Sequence, residues 1–300
     1  MKKILFLILI LFSLKASATY LLIPMDNVQK NHLKAYGVAF WVLQNDIEID
    51  WLLNYRGGSF MIKHIKAIEE ELIIRGVSFE VIANVKSTAI LKKIADPEIN
   101  MDVVKLEKEP KIAVYSPKNK QPWDDAVTLV LKYAEIPYEV VYDDEIIEGL
   151  LPKYDWLHLH HEDFTGQYGK FYNYYKNAAW YKEQVRYNEE TASRLGFTKV
   201  SQLKLAVAKN IKEFTFGGGF LFAMCSGTDA LDIALAAEGL DICESMFDGD
   251  GTTPNYNSQL DFSKSFAFKD YSLKTNPLEY EFSTIDATPT HAKTPKNIDN

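Results

Sequence analysis

Gly217-Gly218-Gly219-Phe220-Leu221-Phe222-Ala223-Met224-Cys225-Ser226-Gly227-Thr228-Asp229, running into Ala230-Leu231-Asp232-Ile233-Ala234-Leu235-Ala236-Ala237, decides the fold class. The stretch reads as a glycine turn, a buried strand, a tight turn carrying a cysteine, and a helix. In α/β sheets such a strand-to-helix turn holds a side chain out of the sheet, and the helix N-terminus favours a thiolate there. Cys225 is therefore a candidate nucleophile.

Upstream of this stretch the pattern alternates strand and helix. Strands are expected at Lys111–Pro117, Tyr138–Tyr142 and Tyr154–His161, with helices over Asp124–Tyr133 and Ser201–Phe214. An aromatic insertion, residues 164–200, carries Tyr168, Phe171, Tyr172, Tyr174, Tyr175, Trp180, Tyr181 and Tyr187. It fits a pair of helices with a packed aromatic face, or a lid or glycan-stacking surface. The first half repeats the theme. Strands are expected at Tyr20–Pro24, Glu48–Asn54, Ser59–Ile62, Val77–Ile82 and Met101–Leu106, and helices at Asn27–Gln44, Lys63–Arg75 and Val85–Ala95.

The charged stretch Glu107–Lys111 resembles a linker, and Lys111–Pro117 answers Tyr20–Pro24. The expectation is an α/β protein of open, mostly parallel sheets with helices on both faces, in two tandem units. The units are 19–107 and 108–300, the latter ending in an irregular part with strand-like pieces such as Ser265–Phe268. One continuous sheet is the alternative. Thr294–Asn300 offers no strand or helix to finish a sheet, which predicts that the native chain continues past Asn300.

Met1-Lys2-Lys3 and the apolar run Ile4–Leu14 are too short for a stable membrane span, and Ala16-Ser17-Ala18 supplies a small-x-small cleavage site. Residues 1–18 are thus expected to be a secretory signal peptide, giving a periplasmic or secreted protein with no integral membrane segment after cleavage. Their removal takes Lys2, Lys3 and Lys15 and no acid, so the formal charge of −8 becomes −11. That balance disfavours nucleic acid as a partner. A composition 47% hydrophobic and 13% aromatic suits a packed globular chain. The two cysteines, Cys225 and Cys243, flank a helix of about ten residues, roughly 15 Å long, whereas bridged Cα atoms lie within about 7 Å. A disulfide between them would need the chain to fold back.

His158 and His160 lie two apart on a strand and share a face, with His161 on the other. Together with Asp163 they are candidate ligands for a divalent metal such as Zn²⁺; hydrogen-bonded histidines packed beside Trp156 are the alternative. No other cofactor is expected. Arg56-Gly57-Gly58-Ser59 would suit an anion or a plain hairpin turn. Asp248-Gly249-Asp250 opens like a calcium loop, but Gln259 stands where an EF-hand needs its later bidentate acid, which favours a surface turn.

Ala223-Met224-Cys225-Ser226-Gly227 resembles the nucleophile turn of the class I glutamine amidotransferase-like superfamily, whose pattern is Gly-x-Cys-x-Gly. Ala223 replaces its first glycine, and Asp229 stands where the family often has Gln. The order of elements from Lys111 to Gly239 is similar too, and implies a flavodoxin-like sheet. The resemblance implies hydrolysis of an amide or acyl bond through a thioester, with a histidine base downstream of the cysteine, for which His291 is the candidate. It also implies an oxyanion pocket shaped by Ser226 and Gly227, with the Ser226 N–H as first donor and the loop after His161 as source of a second. Asn31–Gly37 and Trp51–Phe60 are similar to exported bacterial proteins commonly labelled asparagine synthetase B. Ser226-Gly227-Thr228-Asp229 also resembles part of a pyrophosphate-gripping loop, and literal asparagine synthesis would bring ATP and aspartate. A non-catalytic envelope protein binding a small molecule, glycan or peptide through the His158–Asp163 cleft and the aromatic segment is the alternative from another class.

Overall fold

The computed structural model describes residues 19–117 and 126–285. The expected signal peptide, His291 and Thr294–Asn300 lie outside them. The chain divides into two compact units, one comprising the residues up to Glu109 together with Ala126–Pro137, the other the remainder. Among the described residues no helix is long and apolar enough to cross a membrane.

In the first unit the elements are β1 (Thr19–Ile23), α1 (His32–Gln44), β2 (Ile49–Leu53), β3 (Ser59–Lys63), α2 (Lys66–Ile74), β4 (Glu80–Ala83), α3 (Asn84–Ile94), β5 (Asp102–Leu106) and α4 (Ala126–Ala134). The sheet order is β4-β1-β3-β2-β5, and every neighbouring pair is antiparallel. This corrects the expectation of a mostly parallel sheet in this unit. The physical reason lies in the turn between β2 and β3. Parallel neighbours need a crossover of a dozen or more residues, whereas Asn54–Gly58 reverses the chain directly, with positive φ at Asn54, Arg56, Gly57 and Gly58. Since β3 opposes both β1 and β2, those two run the same way with β3 between them, joined by α1.

Alternation along β1 places Leu21 and Ile23 in a core with Val38 and Val42 of α1 and Ile68 and Leu72 of α2, while Leu22 faces Ile90 and Ile94 of α3. Each such apolar side chain contributes about 1.5–3 kcal/mol on full burial. Helix α1 starts at His32 rather than at Asn27 because the Asn31 side chain accepts the Lys34 N–H at 3.1 Å and caps it. Helix α4 packs on α1 at Gly37, where a Cβ would lie 1.8 Å from the Ala134 carbonyl oxygen. Arg56 is no free anion donor, because its guanidinium bonds Asp26 at 2.7 Å and Glu80 at 2.6 Å.

The second unit holds β6 (Ile112–Tyr115), β7 (Glu139–Val141), α5 (Asp143–Ile147), β8 (Trp156–Leu159), α6 (Tyr172–Tyr175), α7 (Ala179–Arg194), α8 (Val200–Phe216), β9 (Phe220–Ala223), α9 (Ser226–Ala236) and α10 (Ser245–Asp248). Its sheet is parallel, in the order β7-β6-β8-β9. One face, with Ala113, Tyr115, Leu157 and Leu159, packs on α5, α7, α8 and α9 in a single core. The aromatic insertion joins that core through Phe164, Tyr168 and Tyr181, so most of it is packed rather than displayed. On the other face Phe220 and Phe222 of β9 are exposed.

The glycine run ends α8. Gly219 N–H donates to Phe214 O at 3.0 Å, Gly218 adopts φ +100°, and a Cβ at Gly219 would meet the Phe214 ring at 2.2 Å. Ser265–Phe268 is not a strand, since the N–H groups of Phe266, Ala267 and Phe268 donate to the buried Asp232 carboxylate at 2.7, 2.8 and 2.8 Å. This contact fastens the C-terminal part to α9, where Ile242, Tyr271 and Leu273 build a satellite core.

Candidate functional site

Cys225 occupies the turn expected for it, between the end of β9 and the first residue of α9, and its side chain is exposed. Its backbone sits at φ 49°, ψ −142°, a conformation that costs an L-residue about 1–3 kcal/mol and recurs where a side chain must be presented. Neighbouring contacts hold it there. Met224 N–H donates to Leu159 O at 3.0 Å, Gly227 N–H to His160 O at 2.8 Å, and Thr228 Oγ1 to the Cys225 carbonyl at 2.6 Å. A Cβ on Gly227 would lie 2.5 Å from that His160 oxygen, so this position needs glycine for a close approach of backbones.

With the Gly227 amide engaged by His160, the Ser226 N–H stands in the first turn of α9, where a helix offers no acceptor of its own. Cys225 and Cys243 are both free. Cys243 is buried, its thiol donates to Thr165 O at 3.3 Å, and burial pushes its pKa well up. The two cysteines therefore stand in opposite environments.

His158 is fully buried, and since a carbonyl only accepts, its Nδ1–H donates to Phe222 O at 3.1 Å. The His158 and His160 rings lie 6.2 Å apart, on the shared face that alternation predicts. His161 does not take the opposite face. Strand β8 ends at Leu159, the pleat stops with it, and the His161 ring lies 4.2 Å from that of His160. Asp163 anchors a turn, accepting Thr165 N–H at 2.7 Å, Thr165 Oγ1 at 2.6 Å and Gly169 N–H at 3.2 Å. Among the described residues the ligand atoms that gather within 4.8 Å are those of Asp241, Cys243 and Asp248, not of His158, His160 and Asp163. That acidic group already surrounds a cation. Lys199 Nζ donates to Asp241 at 2.5 Å, to Asp248 at 3.0 Å and to Asp250, which makes the Asp248–Asp250 turn a holder for an ammonium group.

A pocket opens at the carboxyl ends of β6, β7 and β8, the place where parallel sheets bind ligands. Tyr142, Glu162, Asp163, Tyr168, Gln184 and Lys204 contribute to its walls, and Cys225 does not. Beside it lies a buried network that sequence reasoning missed. Lys204 and Asp143, 3% and 0% exposed, pair at 2.7 Å, and Lys204 Nζ also reaches Tyr142 Oη at 3.0 Å and Tyr115 Oη at 3.1 Å. Burial, reinforced by the Asp143 charge, raises both tyrosine pKa values, which keeps the hydroxyls protonated as donors. A signal existed in the sequence: Lys204 shares the face of Val200, Leu203, Val207, Ala208 and Ile211, where an apolar residue belongs.

Compared with protein families, with curated proteins and with solved structures, the chain matches none.

Proposed function

We propose that the second unit is a cysteine-dependent hydrolase of amide or related acyl bonds, of the class I amidotransferase-like, flavodoxin-like kind, working outside the cytoplasm. The observation that carries this reading is the exposed Cys225 at φ 49°, ψ −142°, at the start of a helix and the carboxyl end of a parallel strand. In the reaction a histidine takes the thiol proton and the sulfur attacks the carbonyl carbon. The oxyanion accepts from the Ser226 N–H, and the amine leaves with the proton to give a thioester. Water then cleaves the thioester and returns the thiol. His291 is the base that the family resemblance implies.

Alkylation with iodoacetamide from about pH 5 to 9, followed at Cys225 and Cys243 by peptide mass, tests it. An ordinary thiol titrates near 8.5. Rapid labelling of Cys225 well below that, together with loss of hydrolysis in Cys225→Ser, supports the enzyme. Labelling of Cys225 only after denaturation removes it.

A second reading rests on the separate pocket, whose aromatic walls Tyr142, Tyr168 and Phe171 suit a sugar or peptide ligand. An inert Cys225 combined with saturable ligand binding would favour it.

A further inference from the structure

We propose that the cleft between α6, α7 and α10 binds a carboxylate carried on a ring, the chemistry shared by sugar acids and aromatic acids. This cleft is a different place from Cys225 and from the pocket at the ends of β6, β7 and β8. Among the described lining residues the two pockets share only Tyr168. The inference therefore goes beyond the hydrolase reading and does not depend on it.

Helix α7 builds one wall. Tyr181, Val185 and Glu189 recur at four-residue spacing, with Lys182 and Arg186 beside them, so all of them lie on one face. Tyr168, Tyr172 and Phe247 complete an aromatic floor. The Phe247 ring lies 6.3 Å from that of Tyr168 and 5.9 Å from that of Tyr172, and Tyr168 lies 6.3 Å from Tyr181. The space they leave measures about 270 Å³, near the lower end, about 300 Å³, of small-molecule sites. Such ring faces pack against the flat face of another ring.

The donors select the charge. Tyr168 and Tyr181 line the cleft at 4% and 5% exposure, and neither hydroxyl has a hydrogen-bond partner among the described residues. Burial raises both pKa values, so the hydroxyls stay protonated and able to donate. A buried hydroxyl without a partner is costly, and a ligand that accepts from it removes the cost. Lysine and arginine stand at the rim, in a chain whose formal charge is −8. Arg186 is neutralised by Glu190 at 3.0 Å. The Lys182 ammonium has no ion pair among the described residues, and Lys176 faces the Tyr172 ring at 5.2 Å. Against those two ammonium groups the described lining sets one carboxylate, Glu189, so one positive charge is left over. That suits a singly charged carboxylate better than a phosphate of about −1.5 to −2. Hydroxyl and ammonium donors together call for a ligand rich in acceptors.

The test is calorimetric titration of the whole chain, at fixed ionic strength, with sodium glucuronate, sodium benzoate, glucose and sodium acetate. Saturable binding of glucuronate, benzoate or both is expected, with none of glucose or acetate. Glucuronate alone marks a sugar acid, and benzoate alone an aromatic acid. Lys182→Gln and Tyr181→Phe should each weaken that binding about tenfold, the scale of one hydrogen bond to a charged group. Lys182 is exposed and Tyr181→Phe keeps the ring, so both variants retain the fold. Wild-type affinity in either variant overturns the inference, as does glucose or acetate binding as tightly as the ring acids. Silence from all four probes overturns it as well.

Discussion

At Gly227 a single hydrogen atom in place of a methyl lets α9 approach the end of β8. Gly227→Ala would force its Cβ against the His160 carbonyl at 2.5 Å and Leu159 Cβ at 3.3 Å, and disturb the 2.8 Å hydrogen bond to that carbonyl. We expect a loss of about 2 kcal/mol in urea unfolding, the usual scale for overpacking. Cys225 presents the opposite case. Its left-handed φ strains any side chain, so Cys225→Gly should be more stable than Cys225→Ala by about 1 kcal/mol, with both lacking the thiol. Equal stability of the two variants would show an unstrained turn. The turn itself was legible in the sequence because small residues between a strand and a helix leave few geometries. The placement of His161 was not, because alternation holds only while the strand lasts and β8 stops two residues earlier.

Between elements, the Lys204–Asp143 pair ties α8 to the start of α5 and to Tyr115 of β6. Lys204→Met alone leaves a fully buried carboxylate without its cation and should cost about 3–5 kcal/mol. The double variant Lys204→Met, Asp143→Leu should recover most of that in the same unfolding assay. A second buried lysine makes stability depend on pH. Burial lowers the pKa of Lys170 to about 8, against about 10.4 in an unfolded chain. Between those values the unfolded state keeps the proton that the folded state has shed, so stability rises with pH across that window, and the penalty of burying the charge is fully present below it. The stability of wild type relative to Lys170→Met should therefore improve by about 2 kcal/mol from pH 8 to pH 10. The locations of α8 and β9 were readable from apolar periodicity. The burial of Lys204 in α8 was missed, since a lysine in an amphipathic helix is ordinarily taken for the solvent side.

At the scale of the whole molecule, alternation of strand and helix predicted an α/β chain but not the direction of its strands. In the first unit direction follows from the short turn after β2, and from which strands meet, which no local pattern records. The same holds for α4. Its sequence reads as the crossover between β6 and β7, yet it belongs to the first unit, with Lys34 pairing Glu135 at 2.5 Å and Asn31 bonding Tyr133 at 2.7 Å. A fragment covering residues 19–109 should therefore be less stable than one in which residues 126–137 follow through a flexible linker, a difference measurable by thermal unfolding. Gly37→Ala in the whole chain should weaken the same contact, because the added methyl has no room beneath the Ala134 carbonyl.

That borrowed helix also sets an order of events during synthesis. The ribosome finishes all five strands of the first sheet by Leu106, but the surface of α1 around Gly37 stays open until Ala134 has emerged. Domains made early generally fold as soon as they leave the ribosome. Here the N-terminal unit is completed by a piece encoded inside its neighbour, so its sheet can form before its last helix docks.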